Sequence, residues 1–185
     1  TALAAITAYA TDSGANPAPT VAQYVAAGVT DVTDANLTAI NAAVDAVEGV
    51  DANTVPEVQA LVDTQVAADI AAAVLVIEAY ATDSAANPAP TEADYAAAGV
   101  TGVNAANITA VNAAVDAATG AGADTAAEVQ AFVDIEVAAA LAIITAYAAD
   151  SGANPAPTAD NYTAAGVTGV TAANLSATAS SCVSC

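Results

Sequence analysis

The chain has 185 residues, 20 of them acidic and none Lys, Arg or His, which gives a formal charge of -20, and 57% of its residues are apolar. A chain of ordinary composition and this length carries roughly 20 basic residues. Without them there is no imidazole base, no cation to hold phosphate and no usual hydrolytic triad, so no enzyme and no cofactor are expected, and binding to nucleic acid, which rests on neutralising phosphates, is excluded.

One-signed charge on a chain of mean hydropathy +0.56 keeps molecules apart in solution. It also suits an extracellular, saline or protease-rich setting, where screening shortens the repulsion to about 8 Å. No Met occurs anywhere, so a segment ahead of Thr1 is expected to have been cleaved, as in an exported and processed chain; removal of an initiator Met is the alternative. Residues 1–10 are apolar but have no basic flank and no spanning length. They read as neither signal peptide nor membrane helix, and no membrane insertion is expected.

Self-similarity organises the rest. The residues ahead of Tyr9 read as the end of a helix, closed by the turn-forming run Asp12-Ser13-Gly14-Ala15-Asn16-Pro17-Ala18-Pro19. A short helix is predicted from Thr20 to Gly28, where Gly suits the left-handed residue after a helix end. A third opens at Thr33, with Val32 and Leu37 at hydrophobic-staple spacing and a core stripe of Leu37, Ile40, Val44 and Val47. A long helix opens at Thr54-Val55-Pro56-Glu57, a capping-box pattern, and carries Val58, Val62, Val66, Ile70, Val74 and Ile77 three or four apart.

The same phrases return twice. Tyr9, Tyr80 and Tyr147 are 71 and 67 residues apart, and Tyr24, Tyr95 and Tyr162 repeat those separations. The four-residue difference falls in the long helix, about one helical turn. In the later copies the short helix opens at Thr91 and Thr158, the third at Asn104 and Thr171, and the second long helix at Thr125-Ala126-Ala127-Glu128. The expected fold is all-α, tandem three-helix bundles of roughly 70 residues each, divided as 1–53, 54–124 and 125–185.

On that division the first copy lacks the front half of its long helix. Part of the face formed by Leu37, Ile40, Val44 and Val47 is then expected to be uncovered, a site for head-to-tail self-association into a homopolymer. In the last copy the same stripe falls on Leu175, Thr178, Cys182 and Cys185.

The phrases Asn-Pro-Ala-Pro-Thr, Tyr-x-x-Ala-Gly-Val-Thr-x-Val and Ala-Asn-Leu-Thr-Ala-Ile-Asn-Ala-Ala-Val-Asp-Ala resemble tandem repeats of very large bacterial surface proteins, in particular their GA-like three-helix modules. The resemblance covers nearly the whole chain and implies a helical repeat of an exported surface or adhesion protein. No albumin-binding motif, to which the module's name alludes, is matched here. The leading expectation is a structural protein of the cell exterior, a surface filament or fibre subunit; the alternative is an adhesin or spacer presenting a helix face to a host or cell-wall ligand.

Few residues invite chemistry. Cys182-Val183-Ser184-Cys185 is a CxxC without a second ligand pair; small core residues, a disulfide or assembly contact, and a metal or redox site all remain readings of it. Asn36, Asn107, Asn161 and Asn174 fit the glycosylation pattern. Asp12, Asp83 and Asp150, each four residues before an Asn, are candidate ligands for weakly held divalent cations, with a solvated turn as the plainer reading. The six Tyr are expected to pack at helix junctions. Because the side chains offer no cation to pair with the acids, salt should stabilise the fold. Thermal melts are expected to show a higher midpoint in 500 mM than in 10 mM salt, and an unchanged or lower midpoint would contradict the argument.

Overall fold

The computed structural model describes residues 1–175, and among them every regular element is helical. In chain order these are α1 (Ala2–Thr11), α2 (Val21–Ala27), α3 (Leu37–Asp45), α4 (Val55–Thr82), α5 (Glu92–Ala97), α6 (Ile108–Ala118), α7 (Ala126–Ala149) and α8 (Ala159–Ala164), with single 3-10 turns at Gly49–Ala52 and Gly120–Gly122. α4 has 28 residues and α7 has 24, a difference of one turn.

Local chemistry sets the boundaries. Thr20, Thr91 and Thr158 cap α2, α5 and α8, each accepting from the N–H of the third helical residue, whose own side chain (Gln23, Asp94, Asn161) reaches back to the cap N–H. The following glycines, Gly28, Gly99 and Gly166, hold φ of 88°, 76° and 80°, the left-handed region that lets the chain leave the helix. α3 and α6 begin later than the staple spacing predicts. Asn36 Nδ2 donates to the Asp31 carbonyl at 2.8 Å while its Oδ1 accepts from Thr33 N at 2.7 Å, so the side chain winds residues 33–36 into a turn and α3 starts at Leu37. Asn107 does the same ahead of α6.

The chain divides into two compact units, Thr1–Asp69 and Ile70–Cys185. The break lies inside α4, after its first turns, and not at 53/54. In the first unit, Ile6 and Ala10 of α1 pack with Tyr24, Val29, Ile40 and Val44, and Val58 and Val62 of α4 join the same cluster. In the second, Ile77 and Ala81 at the far end of α4 pack with Tyr95, Val100, Val111 and Val115, joined by Val129 and Val133 of α7.

This arrangement corrects the assembly face expected from the sequence. Ile40 and Val44 are fully buried, and Leu37 and Val47 are partly buried against the same cluster. The front half of α4, assigned to the second copy by the 54–124 boundary, closes the first. Burial of these side chains against α4 removes the apolar surface on which head-to-tail association at that face depended.

By length and composition α4 and α7 could each cross a membrane. Every 18-residue stretch of α4 nevertheless contains Asp69, and every such stretch of α7 contains both Asp134 and Glu136.

Candidate functional site

What recurs at matching positions is a set of polar clamps. Tyr24 is fully buried, and its hydroxyl donates to Asn41 Oδ1 at 2.8 Å. Asn41 is itself buried and donates from Nδ2 to the Pro19 carbonyl at 2.9 Å. One amide therefore ties α2, α3 and the proline turn together. In the second unit Tyr95, Asn112 and the Pro90 carbonyl repeat the arrangement. The third copy carries Ala179 at the register of this Asn, outside the described residues.

Other amides act on the backbone in the same manner. Asn16, Asn87 and Asn154 each donate to carbonyls four and eight residues back, closing the ends of α1, α4 and α7. Gln59 Oε1 accepts from Thr30 N and Gln130 Oε1 from Thr101 N, both at 2.8 Å. These last two bonds fasten the front half of a long helix to the turn that follows the short helix.

The sequence-predicted site residues fall as follows. Leu37, Ile40, Val44 and Val47 are interior, as described above. Cys182 and Cys185 lie outside the described residues. Asp12, Asp83 and Asp150 each accept from a backbone N–H two or three residues ahead, so they close turns. Among the described residues no cluster of three or more metal-ligating side chains forms. Asn36, Asn107 and Asn174 spend Nδ2, the atom a glycan would need, on the carbonyls of Asp31, Gly102 and Gly169. Tyr24 and Tyr95 do pack at helix junctions, but their Asn partners escaped the sequence reading. The signal was present in the fixed 17-residue spacing of Tyr24 to Asn41 and Tyr95 to Asn112.

Electrostatics follow from the same contacts. Burial, with a smaller contribution from Tyr9, pushes the Tyr24 phenol up to about 12, and burial raises Tyr95 as well. The Thr54 hydroxyl holds the Glu57 carboxyl below its usual range; the Thr91 backbone does so for Asp94, and the Thr125 hydroxyl for Glu128. Asp124, hydrogen-bonded to Glu128 and facing its charge, is raised. Carboxylates thus sit where helix N-termini offer free N–H groups. The hollows along α1, α4 and α7 are shallow and open, lined mainly by small side chains such as Thr7 and Ala8, Ala79 and Thr82, and Ala142 and Ala146. Nothing in them converges to bind or activate a small molecule.

Comparison with protein-family models, with curated proteins and with solved structures returned no match.

Two predictions follow from the clamp. Asn41→Ala leaves the Tyr24 hydroxyl and the Pro19 carbonyl buried without partners and should cost about 2–4 kcal/mol in urea unfolding, against about 1 kcal/mol for Tyr24→Phe; a loss under about 0.5 kcal/mol for Asn41→Ala would show the clamp to be dispensable. For alkaline pH the sign is set by the raised phenol. The folded state keeps the Tyr24 proton to about 12 while the unfolded chain releases it near 10, so its contribution is complete below pH 10 and is lost as pH rises from 10 to 12. Phenolate absorbance and circular dichroism should show Tyr24 and Tyr95 ionising only well above pH 10, together with loss of helix. Tyr24 and Tyr95 titrating near 10 with helix intact would contradict this.

Proposed function

We propose that the chain is a structural repeat protein of the bacterial cell exterior, built of tandem three-helix copies and joined to further repeats in a surface fibre or spacer. The observation that carries this reading is which residues the copies retain. The Tyr–Asn–carbonyl clamp and the Gln–turn bond recur in the first two copies, and the Asn bonds at the long-helix ends in all three. Exposed positions change freely: Ala22, Ala93 and Asp160 stand at one register position, and Asp31, Gly102 and Gly169 at another. Retention of backbone-directed bonds beside drifting surfaces is the pattern of a selected shape. A selected reaction would retain a cluster of reactive side chains instead.

The acidic surface supports an exterior setting, where salt screens self-repulsion and the chain offers trypsin-like proteases no Lys or Arg. Insertion of α4 or α7 in a bilayer is disfavoured, because a carboxylate at the centre of a spanning helix costs about 2.5–3.5 kcal/mol, and Asp69, Asp134 and Glu136 fall in every spanning window. Assembly is no longer assigned to the α3 face, which is interior.

Immunogold labelling of intact cells that make the protein tests the proposal. Label on the surface, removed by a protease that cleaves after apolar residues, is the expected result. Label confined to the cell interior overturns it.

A further inference from the structure

The turns that lead into the two long helices stand at the same register but are held by different chemistry. Between α3 and α4, Asn53 donates from Nδ2 to the Val50 carbonyl at 2.7 Å, and the N–H groups of Asn53 and Thr54 donate to Glu57 Oε2 at 3.2 and 3.0 Å. Between α6 and α7 the counterpart of Asn53 is Asp124, and that of Glu57 is Glu128. The two carboxyls lie within hydrogen-bond reach of each other. An ionised carboxylate only accepts, so a bond between two of them needs a proton on one.

Nothing nearby offers a compensating charge. The chain has no basic side chain. Glu128 on α7 and Glu78 on α4 both face Asp124 as like charges, and Asp116 is the one acid of α6. Glu78 is close to the turn itself, since a Cβ on Gly120 would lie 3.7 Å from its Cγ. The turn is also strained. α6 runs to Ala118, the register of Val47, whereas α3 ends at Asp45. The chain then leaves α6 through Thr119 at φ of 63° and ψ of 162°, a region that residues other than glycine rarely adopt. Its counterpart Glu48 has ordinary extended backbone, with φ of -72° and ψ of 149°.

We infer that Asp124 and Glu128 form a one-proton clasp that makes the turn at 119–124 responsive to pH, closed while a proton lies between the two carboxyls and open once both are ionised. The closed clasp ties the end of the turn to the first turn of α7. Loss of the proton leaves three carboxylates, Glu78 among them, around a turn held against its backbone preference. The direction of the response follows from the contacts. Asp124 is raised because the Glu128 carboxyl accepts its proton and repels its charge; Glu128 is lowered because the Thr125 hydroxyl and then Asp124 donate to it. Stability from the Asp124 proton is therefore present below the ordinary carboxyl range and lost as pH rises through the raised value. Stability from the Glu128 charge is present above that range and lost as pH falls through the lowered value. The clasp is closed between the two and opens as pH rises toward neutral.

Carbon-13 NMR of the two side-chain carboxyls in the intact chain, from about pH 3 to 7, tests this together with amide exchange corrected for its intrinsic pH dependence. The Asp124 and Glu128 signals should titrate jointly in two steps, Asp124 chiefly in the upper. Protection of the Gly122 and Ala123 amides, which donate to the Thr119 and Gly120 carbonyls at 3.0 Å, should fall about threefold or more through that upper step. The Asp51 amide, which donates to the Glu48 carbonyl at 2.8 Å at the register of Gly122, is the internal control and should show no such fall. Asp124→Asn should remove the upper step and the amide response together. Glu128→Gln should return Asp124 to a single step in the ordinary carboxylate range and remove the amide response as well. Independent single-step titration of the two carboxyls, an equal fall at Asp51, or an amide response that survives in Asp124→Asn overturns the clasp.

Discussion

The hydrogen bond from a buried tyrosine to a buried asparagine, passed on to a proline carbonyl, is the interaction on which this architecture depends. Cores made chiefly of Ala and Val have little shape to distinguish one helix register from the next, and packing of that kind gets a chain collapsed more readily than it makes the fold unique. Tyr24 and Tyr95 head the largest fully buried side chains, and each has one polar atom that must find one partner. Sliding α2 along α3 by a single turn would separate Tyr24 from Asn41 and bury both groups unpaired, at about 1–3 kcal/mol each. The clamp therefore penalises the wrong registers more than it stabilises the right one. That accounts for its recurrence where the apolar residues around it vary between Val, Ile and Ala.

A second constraint is the charge. With no basic side chain, carboxylates cannot be neutralised in pairs, and the fold uses backbone N–H groups instead. Glu57, Asp94 and Glu128 sit at the third helical position and bond back to their Thr caps, within the first turn where the macrodipole favours negative charge. Asp12, Asp83 and Asp150 are spent on turn N–H groups just beyond helix ends. A sizeable part of the acidity is thereby structural, and the remainder is distributed over exposed faces, where salt weakens its mutual repulsion.

Much of the fold was legible because its signals are local. Capping threonines, helix-ending glycines and the three-or-four spacing of Val and Ile identify helices without knowledge of the tertiary structure, and the helical boundaries mostly follow them. The start of α3 was misplaced because the Asn36 side chain competes with the helix for the backbone, an effect no apolar spacing reveals. The status of Ile40 and Val44 was misread for a different reason. Periodicity shows that Val58 and Val62 belong to a helix face, but not which of two neighbouring bundles that face enters. The first compact unit ends at Asp69, inside α4, so a boundary drawn at the N-cap Thr54 removes the cover from the copy it closes. Of the clamp, the Tyr positions were legible from the repeat and the Asn positions were not, since an Asn inside a helix reads as a solvent-facing residue until its 17-residue partner is recognised.

Division within a helix also has consequences for any array of such copies. Val58 and Val62 belong to one core cluster while Ile77 and Ala81 of the same helix belong to the other. A copy built on this plan does not complete its own core; the helix that finishes it also begins the next, as in repeat proteins whose stability resides largely at the interfaces between neighbours. In the first two copies the interior is specified by Tyr, Asn and the proline turn, and the contact with the following long helix by two valines and a glutamine. Such separation lets copies be added in line while each keeps its own register.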